Sequence, residues 1–98
     1  MSDHSASETA PKPYRSTPVF DQDSLPAALR REHRTKADVW GVVRVLEGKL
    51  KLTYVEPPSE VVLSPEQPGL LLPDQPHFVE PVGKMRMTVE FYDRRPEL

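Results

Sequence analysis

The chain contains no cysteine and only four glycines, and no apolar run in it approaches the roughly 20 residues that cross a bilayer. Without thiols there is no disulfide framework, no thiolate zinc site and no cysteine nucleophile. Neither Ser59 nor Ser64 stands in a Gly-x-Ser-x-Gly turn, so the activated serine of an acyl-enzyme mechanism is missing too. The first residues, Met-Ser-Asp-His, continue polar and argue against a secretory signal, which makes a cytoplasmic protein the expectation. A surplus of one charge sign is also absent. Thirteen Lys and Arg stand against 15 Asp and Glu, a formal charge of −2, so no broad field favours nucleic acid or an anionic membrane. The basic run of Arg30, Arg31 and Arg34 is interrupted by Glu32 and reads as solvated surface.

What the chain has in quantity is proline. Its 12 prolines fall mostly between apolar stretches and partition the sequence, because proline lacks an amide donor and resists central strands. Residues 1–13, rich in Ser, Ala, Glu, Thr and Pro, hold little to bury and read as a disordered leader. Val19 and Phe20 suit a short strand, and Ser24 followed by Pro26 suits one helical turn. The strongest pattern is a pair of strands over residues 39–46 and 49–55, joined by a turn at Glu47 and Gly48. In the second of these, Leu50, Leu52 and Tyr54 share one face while Lys49, Lys51 and Thr53 share the other. Shorter strands are expected over residues 60–63, 70–72 and 77–80. After a turn over residues 81–84, a last strand alternates through Met85, Met87, Val89 and Phe91. Six or seven strands separated by turns predict an all-β barrel or sandwich of one domain.

Two segments carry a resemblance. His33, Arg34, Thr35 and Lys36, leading on to Glu47 and Gly48, are similar to the first half of a cupin signature; His77 behind Pro73 and Pro76 is similar to the second. With Ser16, Thr17, Pro18, Val19 and Phe20, with Trp40 and Gly41, and with Glu90 and Phe91, they make residues 14–93 resemble the small cupin-like family associated with tellurite resistance. That domain stands alone or is fused to a methyltransferase. The resemblance implies a single-domain, jelly-roll-like cupin-type β-barrel over residues 14–98, a homodimer, and a barrel mouth that brings His33 and His77 together. No glycine here falls in the G-x-G-x-x-G arrangement that would hold a methyl donor, so methyl transfer is not expected of these residues.

The cupin pattern supplies a His-x-His pair, a glutamate and a last histidine. His33 matches the first and His77 the last; Thr35 stands at the second, and the glutamate position falls near Trp40 and Gly41, neither of which is a carboxylate. Glu90, between two apolar residues and at an acidic position of the family, is taken ahead of Glu80 as a third metal ligand. The implied cofactor is one divalent transition metal, with Zn, Fe, Mn and Ni not separable from such donors. Lys36, a donor with no acceptor, suits an oxyanion, while Trp40 and Tyr54 are candidate pocket walls for a small organic ligand, although core packing is the commoner role of such rings. The expected function is a small cupin binding a metal, an oxyanion-like ligand or both, in a tellurite or other stress response. Two alternatives stay open: a metal-dependent cupin enzyme of the dioxygenase or isomerase class, and a metal-free sensing or interaction module whose histidines are structural.

Overall fold

The computed structural model describes residues 11–98. The expected leader, with His4, therefore lies largely outside the described residues; residues 11–13 carry no regular structure. Six strands follow: β1 (Arg15–Ser16), β2 (Phe20–Asp21), β3 (Trp40–Tyr54), β4 (Ser59–Leu63), β5 (Gly69–Leu71) and β6 (His77–Tyr92). A single 3-10 turn, Ala27–Arg30, begins directly after Pro26, whose fixed φ suits that place. No helix among the described residues is long and apolar enough to cross a membrane.

All strand pairs are antiparallel. The hydrogen-bonded order is β1-β6-β3-β4, with β2 also on β6 and β5 also on β3. The path ends at β1 on one side and β4 on the other, so the domain is an open all-β sheet and the closed barrel is not formed by the described strands.

The two expected turns are also not formed. The sequence predicts reversals at Glu47 and Gly48 and over residues 81–84. Instead β3 runs 15 residues and β6 runs 16 residues straight through them. The two long strands pair with each other from Trp40 opposite Tyr92 to Tyr54 opposite His77. Val45 faces Met87 and Glu47 faces Arg86, which leaves Leu46 extra on β3; Gly48 faces Met85 and Lys49 faces Val82, which leaves Gly83 and Lys84 extra on β6. Gly48 and Gly83 do take the left-handed conformation that made them turn signals, with φ of +76° and +74°. They use it in apposed bulges, which bend and twist a ribbon without ending it.

Alternation survives the irregularity. Two extra residues preserve parity on β6, so His77, Val79, Met85, Met87 and Val89 are all buried on one face. One extra residue on β3 switches parity, from Val43 and Val45 before the bulge to Leu50 and Leu52 after it. Side chains from both halves of the ribbon join one core, which Leu25 also enters and against which Leu29 packs. Each fully buried Leu or Met there contributes on the order of 1.5–3 kcal/mol relative to exposure.

Candidate functional site

His33 and His77 meet first through their backbones. Each donates its amide to the other's carbonyl oxygen at 2.9 Å, an isolated antiparallel bridge at the start of β6. The two loops are clasped beside it. Thr35 Oγ1 donates to the Val39 carbonyl at 2.8 Å and accepts from the Asp74 amide at 3.2 Å, while Arg34 Nη1 reaches Asp74 Oδ1 at 3.3 Å. Asp74 has φ of 58°, a left-handed conformation that Asp tolerates better than most residues, and the chain reverses there with the Gln75 amide donating to Leu72 O at 3.2 Å. Thr35 is thus a positioning residue for the loop that ends in His77.

The two imidazoles stand edge to face with centroids 4.2 Å apart. Their Nδ1 atoms each lie 2.8 Å from a backbone carbonyl oxygen, that of Arg31 for His33 and that of Gln75 for His77. A carbonyl only accepts, so each Nδ1 carries a proton. His77 is only 1% exposed. Burial pushes its pKa down to about 4, with His33 adding to the effect and the Gln75 carbonyl opposing it, so the ring is neutral at pH 7. No side-chain nitrogen or oxygen among the described residues is sealed without a hydrogen-bond partner, and Nε2 of His77 has no protein partner there. It opens instead on a cavity.

That cavity, about 180 Å³, lies between the halves of the ribbon. Val43, Met87 and Val89 line it from one half and Val79 from the other, together with Leu71 and Phe91. Its polar lining is His33, His77, Thr17, Arg34 and Thr35. A more open cleft of about 330 Å³ shares Thr17, Arg34, Thr35 and Phe91 with it and is also lined by Arg15 and Lys36.

Of the residues singled out from sequence, His33 and His77 come together, and Lys36 lies in the neighbouring cleft. The others stand elsewhere. Glu90 occupies the opposite face of β6, where Oε1 accepts from Arg44 Nε at 3.0 Å and from the Tyr92 hydroxyl at 2.9 Å. Glu80 pairs with Lys51 Nζ at 3.2 Å. Trp40 carries the Arg95 guanidinium over its ring at 5.3 Å. Tyr54 is the cross-strand neighbour of His77, but it lies outside the cavity lining and its hydroxyl, kept protonated by burial, donates to Leu70 O at 2.6 Å. Arg34 and Thr17 line the cavity without having been singled out. The resemblance includes both as family positions but gives neither a role at the site, because their place beside His77 depends on how the ribbon folds back.

A carbonyl-anchored Nδ1 is the support that metal-bound histidines use. The rest of the donor set does not fit a resident transition metal. No group of three or more His, Cys, Asp or Glu able to hold one occurs among the described residues. The hydroxyl of Thr35 is committed to Val39, and the charged side chain at the site is the cation Arg34. Two imidazoles fall short of the three or four protein ligands such ions usually take.

Comparison with known proteins places this geometry in a family. Residues 15–89 match the TehB-like domain. A probable S-adenosyl-L-methionine-dependent methyltransferase TehB from Haemophilus influenzae strain Rd is 30% identical over an alignment of 90 positions that covers 86% of this chain and 32% of that protein. The crystal structure of TehB from the same species superposes with a TM-score of 0.77 at 31% identity over 87% of this chain. A protein from E. coli strain K12 gives a TM-score of 0.78 at 20% identity and covers 91% of this chain and 95% of its own, a likeness of fold alone. The chain spans about a third of the length of the TehB proteins it matches. With three quarters of its residues inside the matched range, the chain belongs to the TehB-like domain family.

Proposed function

We propose that this chain is a ligand-binding domain that takes a small, mainly apolar molecule between the halves of its folded ribbon and holds an O–H or N–H group of that molecule at Nε2 of His77. The observation that carries this reading is a neutral, backbone-anchored imidazole whose remaining lone pair faces an apolar cavity. Nε2 is not sealed, so a ligand donor there would contribute the net worth of one hydrogen bond, about 0.5–1.5 kcal/mol. Size supports it as well, since an apolar cavity of about 150 Å³ is enough for a benzene ring. We place the domain among small cupin-type β-folds, in the tellurite or other stress response that the family resemblance suggests. The lining of the cavity is mainly apolar and suits the body of a ligand better than a bare oxyanion, and Arg34 is its one cationic side chain. Methyl transfer, named for the Haemophilus protein, is not proposed for these 98 residues, which hold no G-x-G-x-x-G loop.

Phenol and toluene, titrated separately and followed by nitrogen-proton NMR, test the reading. Phenol is expected to shift the His77 ring and to bind about tenfold more weakly to His77→Leu, the loss of roughly 1.4 kcal/mol that one hydrogen bond supplies. Toluene should bind the variant no worse than the parent. Phenol that leaves the His77 ring and the methyl groups of Val79 and Val89 unmoved at millimolar concentration would sink the reading.

A further inference from the structure

We propose that the histidine cavity and the basic cleft are two parts of one site, and that its ligand is a small aromatic or branched aliphatic carboxylic acid. The apolar body occupies the cavity and the carboxylate the cleft. This rests on the reading of the cavity given above and adds the chemical class of what it binds.

Contiguity is the first support. Thr17, Arg34, Thr35 and Phe91 line both spaces, so the two are adjacent, and the proposal sets one molecule across them. Charge is the second. Arg15, Arg34 and Lys36 line the cleft, and no carboxylate does so among the described residues. The acids that face Arg34 come from outside that lining: Asp74 at 3.3 Å from Nη1, and Glu32 at 4.0 Å from Nη2, beyond hydrogen-bond reach. Nη2 and Nε make no hydrogen bond among the described residues, so an edge of the planar guanidinium remains for a carboxylate. The third support is direction. The cavity lining is mainly apolar with Arg34 as its one cation, whereas the cleft carries Arg15, Arg34 and Lys36, so the proposed orientation sets the carboxylate on the cations, the body in the cavity and a ring hydroxyl on His77.

The matched probes are 4-hydroxybenzoate, phenol and inorganic phosphate, titrated into the full chain by calorimetry and NMR at low and at high salt. At low salt 4-hydroxybenzoate is expected to bind about tenfold tighter than phenol, to compete with it, and to shift His77. That advantage should shrink at high salt and disappear in Arg15→Gln/Lys36→Gln, a pair that leaves the Arg34–Asp74 clasp intact, while phenol binds that variant as it binds the parent. Arg34→Gln should remove the advantage by itself. Equal affinities for the acid and for phenol would overturn the inference and leave the cavity reading standing. Phosphate displacing 4-hydroxybenzoate at equal concentration would make the cleft an oxyanion site with no link to the cavity and would overturn it too. If neither organic probe binds, both readings fall together.

Discussion

Acidification from pH 6.5 to 4 is expected to remove about 3 kcal/mol of folding stability through His77 alone, from the pKa shift between the two states. In the unfolded chain the ring takes up a proton near 6.5; in the folded chain burial delays this to about 4. Between these values the unfolded state binds more protons. Stability is therefore fully present above about 6.5, declines as the pH falls through the window, and levels off below about 4 as far as this group is concerned. Carboxylates titrate at the lower end, so the decisive quantity is a difference. In His77→Leu, of similar bulk, urea midpoints should depend much less on pH across this window. Parallel curves for parent and variant would show that His77 titrates normally and that its burial exerts no such effect.

The second large effect is expected at the bulges. Gly48→Ala should destabilise the fold by about 3 kcal/mol, because two costs coincide. Its φ of +76° is strained for any L side chain, and a Cβ there would run into the carbonyl oxygen of Lys84, a backbone atom with little room to give. Gly83→Ala shares only the first cost. Its φ is +74° and nothing lies within 4 Å of the added atom, so about 1 kcal/mol is expected. Denaturant unfolding of the two variants side by side measures the contrast. Equal losses would mean that the two strands do not press together at Gly48, and that the ribbon does not fold there in the way described.

These glycines also show where the sequence is legible and where it is not. The alternation of Leu50, Leu52 and Tyr54, and of Met85, Met87 and Val89, fixes which faces are buried, and the structure has them so. Gly48, and Gly83 within residues 81–84, read as turns, and the structure has both at positive φ inside continuous strands instead. What a single sequence does not reveal is whether such a glycine ends a strand or kinks it, since a hairpin turn and a bulge use the same left-handed φ. That ambiguity turns two continuous strands into four expected ones. At the site, the cupin resemblance pairs His33 with His77 and the two do meet, whereas Glu90, taken on its family position, stands with Arg44 and Tyr92 on the face that the alternation through Met87, Val89 and Phe91 already assigns to it. Arg34 and Thr17 become neighbours of His77 only through long-range folding, which leaves no periodic trace in the chain.

The central claim is that His77 presents an unprotonated Nε2 to the cavity, and long-range nitrogen-proton correlation of the imidazoles tests it most directly. At neutral pH the His77 ring should carry its single proton on Nδ1, and this pattern should persist until the pH approaches about 4. A proton on Nε2 of His77, or a midpoint near the ordinary 6.5, would contradict the account.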